Sequence, residues 1–162
     1  MSSTTPTVRQ IAWISLLPQF ALVGVFVLIY YLIGTGSYIV YGAWTYLVLS
    51  FVCRAIILRS HRKGMSKVKK GNHADAIPHF QRSYDFFQTH NWLDKYRYMI
   101  LSSSKISYRE MALNNIAFCY SQIGQGGLAE EYYLRTLREF PGSGVATAAL
   151  RMLNSVKENV VG

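Results

Sequence analysis

The sequence predicts an all-α protein, a two-span transmembrane helical hairpin followed by a small α-α domain with a C-terminal capping helix. Three observations carry this prediction. Two long apolar runs fill most of the first 58 of 162 residues. A block of positive charge follows them immediately. Beyond that block the apolar residues recur at helical spacing, broken by glycine and proline.

The first run, IAWISLLPQFALVGVFVLIYYLIG (11–34), has no charged side chain. At ~1.5 Å per residue it reaches roughly 36 Å, more than the ~30 Å of a hydrocarbon core. Pro18 sits near its start, and Gln19 is its only strongly polar group; a bilayer tolerates both when a neighbouring helix supplies hydrogen bonds. The run is too long for a cleaved signal peptide and has no small-x-small site, so it reads as an anchor. After Gly34–Ser37 the second run, 38–58, carries one charge, Arg54, close enough to the end for its stem to snorkel. Tyr30, Tyr31, Tyr38, Tyr41 and Trp44 gather around the turn as an interfacial aromatic belt.

Net charge is +9, but it is not spread evenly. Residues 1–53 hold only Arg9, residues 54–70 hold seven Lys/Arg and no acid, and residues 71–162 are nearly balanced. The chain is therefore not a basic domain. By the positive-inside rule, the uncharged turn and the basic run after it place both termini on the cytoplasmic side of the membrane, a bacterial inner membrane being favoured over an organelle membrane. Residues 1–10 are then a cytoplasmic tail, 11–58 the hairpin, 59–72 a basic juxtamembrane helix or linker, and 73–162 the helical domain. Arg59, Arg62, Lys63, Lys67, Lys69 and Lys70 are expected to touch anionic lipid headgroups. The run has no interleaved aromatic residues, so nucleic acid is not an expected partner.

Within the helical domain, residues 112–141 (ALNNIAFCYSQIGQGGLAEEYYLRTLREFP) are the most patterned. Leu113, Ile116, Ala117 and Tyr120 lie along a first helix, Gly124 ends it, Ala129 and Tyr133 lie on a second, and Pro141 closes the unit. This pattern resembles the tetratricopeptide repeat, a helix-turn-helix unit of about 34 residues. Leu113 stands where that family often has Trp, and Thr136 where it has Ala. A second, weaker copy lies on 57–90, with Gly64, Gly71, Ala76 and Phe80 at matching positions but Ser60 and Lys67 at unmatched ones. Its first helix is expected to continue out of the second apolar run, or else only its second helix is real. Residues 91–109 exceed the repeat spacing. They allow a helix capped at Ser103 or Ser104, while KYRYMIL within them is also compatible with a strand. Residues 144–160 form an amphipathic helix similar to the terminal helix of such arrays. Two units are fewer than repeat arrays normally need, so the missing neighbours must come from flanking helices or from a second copy.

No phosphate-binding glycine loop, HExxH, GxSxG or paired-cysteine motif is present. Cys53 and Cys119 match no ligand or disulfide framework, and His61, His73, His79 and His90 lack metal-ligand spacing. His90 and Asp94 read as a solvated helix pair. Glu130 and Glu131 point to different faces and form no carboxylate dyad. No catalytic, cofactor or metal site is expected. The family resemblance implies instead a partner-binding groove on the first helix of the unit, lined here by Met111, Asn114, Phe118, Ser121 and Gln122. Some members clamp a partner's C-terminal carboxylate, but Phe118 replaces the usual clamp asparagine and no lysine accompanies it. For Phe118, packing under the 91–109 insertion stands beside partner binding. The expected function is a non-catalytic scaffold or adaptor that recruits protein partners at the membrane. The rival is an accessory subunit packed through its hairpin inside a larger membrane enzyme or translocase.

Overall fold

In the computed structural model, residues 16–96 and 106–161 are described, and all of their regular structure is helical. The eight helices are α1 (Leu16–Leu32), α2 (Tyr38–Ile57), α3 (Arg59–Lys69), α4 (His73–Thr89), α5 (Asn91–Lys95), α6 (Tyr108–Gln122), α7 (Gly126–Glu139) and α8 (Gly144–Val161). They fall into two compact units, one holding α1 and α2 to Ile56, the other holding residues 57–94 and 107–162.

In the first unit α1 ends at Gly34, whose φ of +82° is open to glycine at little cost. Its N–H donates to the Tyr31 carbonyl at 3.0 Å, and the Thr35 hydroxyl donates to the Tyr30 carbonyl at 2.9 Å. The chain can then double back. Tyr31 meets Tyr38 edge-on at 5.3 Å, Tyr30 meets Tyr41 at 5.8 Å, and the Tyr30 hydroxyl lies 3.1 Å from Thr45 Oγ1. Gly42 is the point of closest approach: a Cβ there would lie 2.7 Å from the Val27 backbone nitrogen. The outward faces are apolar, with Phe20, Leu32, Phe51 and Ile56 all well exposed. Only α2, with 20 residues, is both long and apolar enough to cross a membrane among the described helices; α1 is apolar but its described part has 17 residues.

The second unit is a stack in which α3 packs on α4, α4 on α6, α6 on α7 and α7 on α8. Two helix-turn-helix pairs, α3–α4 and α6–α7, repeat the same construction. Each first helix ends at a left-handed glycine, Gly71 (φ +78°) and Gly124 (φ +77°). At each, the glycine N–H reaches back three residues and the next N–H reaches back five: Gly71 to Val68 and Asn72 to Lys67, Gly124 to Ser121 and Gln125 to Tyr120. That is the Schellman ending, which satisfies otherwise orphaned carbonyls. Burial repeats at the same offset, since Ala76, Phe80 and Ser83 correspond to Ala129, Tyr133 and Thr136 and all six are buried. The small positions repeat too: Gly64 lies against the Phe80 ring, where a Cβ would come within 2.8 Å, and Ala117 is fully buried against Ala129 and Tyr133.

Three packed clusters make the core. Ala76, Phe80, Ile116 and Cys119 join α4 to α6; Ala117, Ala129, Tyr133 and Ala146 join α6, α7 and α8; Tyr84, Ala112 and Leu113 close the other end of α4 and α6. The terminal helix α8 starts from Ser143, whose Oγ accepts from Ala146 N–H at 3.4 Å.

Several boundaries differ from expectation. The helix expected to run unbroken out of the second apolar run divides at Leu58 (φ −91°, ψ 9°). The division separates a largely apolar helix, whose one charge is Arg54 in its last turn, from one that must turn His61, Gly64 and Val68 toward α4. Residues 59–69 thus pack as a helix of the second unit rather than as a linker. The start of the first apolar run (11–15), Ser103, Ser104 and most of KYRYMIL lie outside the described residues. The cap of α6 within them is Ser107, whose Oγ accepts from Glu110 N–H at 3.0 Å. Asp94 joins it: its Oδ1 and Oδ2 accept from the backbone N–H groups of Tyr108 (2.9 Å) and Arg109 (3.4 Å). Asp94 is therefore a buried helix cap and not half of a solvated pair, while His90 stacks on Phe86 at 4.7 Å.

Candidate partner-binding face

The stripe expected to line a groove on α6 does not survive as a uniform face. Gln122 is exposed, Met111, Phe118 and Ser121 are half-buried, and Asn114 is only 7% exposed. Periodicity alone put Asn114 outward; the chain after α7 returns over it, and its Nδ2 lies 3.4 Å from Ser143 Oγ. Its Oδ1 is buried without a hydrogen-bond partner. Asn114 is thus a packing residue of the α6–α8 junction.

Phe118 leans on the cluster of Ala76, Phe80, Ile116 and Cys119, and the ring of His73 meets it edge-on at 5.8 Å. Its contacts run to α4, across the stack. Ser121 spends its hydroxyl proton on the Phe118 carbonyl at 2.7 Å. Asn115 extends the face sideways, with Nδ2 3.7 Å from the sulfur of Met65 on α3. The face the structure offers is therefore Met65, Asn115, Phe118 and Gln122, with Met111 at its edge. Met65 was not legible as a member, because only the packing of α3 and α6 against the same helix, α4, brings it there.

A second constellation lies at the far end of the pairs and escaped sequence reading altogether. Glu139 accepts the Tyr84 hydroxyl (2.7 Å to Oε1, 2.9 Å to Oε2), Arg109 Nη2 (2.7 Å) and Arg135 Nε (3.2 Å). Arg109 and Arg135 lie over the Tyr84 ring at 5.7 and 4.7 Å. Desolvation alone would raise the Glu139 pKa, but the hydrogen bonds from Tyr84, Arg135 and Arg109 outweigh it and hold the carboxyl below its ordinary range. One carboxylate thus ties α4, α6 and α7 together. The only sequence signal was the i, i+4 spacing of Arg135 and Glu139; Tyr84 and Arg109 arrive from 55 and 30 residues away.

His61 stands between the rings of Phe80 (5.3 Å) and Tyr108 (6.2 Å), and its Nδ1 has no hydrogen-bond partner. Burial lowers its pKa to about 4. The neutral form is the one that fits. A depressed histidine pKa contributes stability that is present above the ordinary value near 6.5 and is lost as pH falls toward 4. The expected loss across that window is about 3 kcal/mol. His61→Leu is expected to remove this component, seen as a flatter dependence of the domain's melting temperature on pH; equal slopes for the two proteins would contradict it.

The charged residues of α3 divide between two environments. Lys67 Nζ is 3.1 Å from Asp75 Oδ2, whereas Arg59, Arg62, Lys63, Lys69 and Lys70 are exposed. Both cysteines are free thiols, and burial pushes Cys119 up to about 11, so it is protonated and inert at neutral pH. Among the described residues no group of three or more His, Cys, Asp or Glu could hold a metal ion. No protein-family model, curated protein or solved structure matches the chain.

Proposed function

We propose that this chain is a membrane-anchored, tetratricopeptide-repeat-like adaptor that recruits or assembles partner proteins at the cytoplasmic face of a membrane, without catalysis of its own. The observation that carries the reading is the duplicated helix-turn-helix, with matched glycine turns and matched buried positions, joined through Leu58 to an apolar helix of 20 residues. Such stacks present first-helix faces to peptides or partner helices. The face here is Met65, Met111, Asn115, Phe118 and Gln122. An α2 of 20 residues reaches roughly 30 Å, one hydrocarbon thickness. Apolar sequence continues upstream of Leu16, and the tyrosines at the α1–α2 turn suit an interface, which supports a second span.

One feature favours the rival reading of an accessory subunit. Gly24 on α1 is exposed, and a Cβ added there meets nothing within 4 Å. Small residues on an outward face let another helix approach closely in a bilayer.

Photo-crosslinking from the full-length chain separates the two. A crosslinker at Gln122 is expected to give discrete protein adducts in native membranes, and Gly24→Leu should leave their yield unchanged. Adducts only from a crosslinker at Phe51 on α2, abolished by Gly24→Leu, would replace the adaptor by the accessory subunit.

A further inference from the structure

We infer that the outward face of α3 is a docking stripe for anionic phospholipid headgroups, made by Arg59, Arg62, Lys63, Lys69 and Lys70 and excluding Lys67. This rests on the reading that α2 spans a bilayer.

The stripe follows from how α3 packs. His61, Gly64 and Val68, spaced three and four apart, face Phe80 and the α4–α6 cluster. The opposite side therefore carries residues 59, 62, 63, 66, 69 and 70, all exposed. Five of these are cations and the sixth is Ser66. Among the described residues no acidic side chain forms an ion pair with any of the five. Lys67 lies between the two faces, and its ammonium is already engaged by Asp75, which pins α3 to α4.

Like charges one turn apart, such as Arg59 and Lys63, destabilise a helix in isolation. An anionic surface would relieve that repulsion. The cations form a line of about 16 Å along 11 residues rather than converging on a point, so they suit an extended charged surface better than a free phosphate. The stripe begins one residue beyond Leu58, where the apolar helix has just ended, so chain connectivity holds it within reach of headgroups. No aromatic residue lies on the stripe to stack bases, which sets nucleic acid aside. Near a membrane surface each such cation strengthens association by about fivefold.

The test uses the full-length chain in lipid nanodiscs, with Cys53→Ala and Cys119→Ala and an environment-sensitive fluorophore at Ser66→Cys. Quenching by aqueous acrylamide is expected to be at least about threefold weaker in discs with one-third anionic lipid than in zwitterionic discs, and to recover at ~0.5 M salt. Changing the five stripe residues to glutamine should abolish the protection, while Lys67→Gln should keep it. The lipid and salt comparisons need no stripe mutation, so a misfolded variant does not decide the outcome. Equal quenching in both discs overturns the stripe, as does a loss with Lys67→Gln equal to the loss with all five. Protection by a single-stranded oligonucleotide in zwitterionic discs, with none from anionic lipid, assigns the face to nucleic acid instead. A chain that fails to enter discs overturns the spanning reading and the stripe together; one that enters but shows no lipid dependence overturns the stripe alone.

Discussion

Phe80→Ala is expected to destabilise the helical domain by about 3–5 kcal/mol, the range for truncating a fully buried phenylalanine. Phe80 is 0% exposed and lies at the centre of the apolar contact between α3 and α4. It packs with Ala76, Ile116 and Cys119, receives the edge of His61 and fills the space over Gly64. Gly64 leaves no methyl that could collapse into the void, so the cavity term should be felt in full. Hydrogen exchange in the detergent-solubilised chain should show α3 and the first half of α4 opening first. Loss of protection in α7 and α8 with α3 unchanged would contradict this placement of Phe80.

Glu139→Ala is the second large effect, at about 3 kcal/mol. Removing the carboxylate leaves Arg109 and Arg135 beside the Tyr84 ring without their shared anion, and their side chains are 21% and 36% exposed. Stranding partly buried cations costs more than the pair itself contributes, because each keeps its desolvation penalty without its partner. Tyr84→Phe removes one charge-assisted hydroxyl donor and leaves both arginines paired, so it should cost less, about 1.5 kcal/mol. Since the folded carboxyl titrates below its ordinary value, the contribution of Glu139 is present above that value and fades as acid protonates it in the folded state. Chemical denaturation at neutral pH checks the ranking. Equal costs for Glu139→Ala and Tyr84→Phe would mean that the cations find other partners and the cluster is not a tie between helices.

What the sequence made legible was periodic or conformational. Leu113, Ile116, Ala117, Ala129 and Tyr133 are buried where their spacing placed them, and Gly71 and Gly124 take the left-handed turn that glycine permits. Residues 59–69 and 73–89 form two packed helices with Gly64 against the Phe80 ring and Ala76 buried; Lys67, which stood out of pattern, reaches out to Asp75. Asn114 misled because periodicity reports which side of a helix a residue occupies, not what later folds over that side. The carboxylate tie, the Asp94 cap and the isolated His61 were invisible for a related reason. Each depends on helices distant in sequence, and a lone polar residue in a helical pattern looks like a solvated one until its neighbours are known. Ser143 shows the same limit: it sits in a glycine-rich turn yet is 2% exposed.

The anchoring claim is tested most directly by sidedness. In a background lacking Cys53 and Cys119, single cysteines at Ser3, Ser37 and Ser155 would be exposed to a membrane-impermeant thiol reagent in intact cells or sealed vesicles, before and after permeabilisation. The two-span account predicts that Ser37→Cys labels from the outside, while Ser3→Cys and Ser155→Cys label only once the membrane is opened. Labelling of Ser3→Cys together with Ser37→Cys from the outside would leave α2 as the sole span, and labelling of all three from one side would remove the chain from the bilayer.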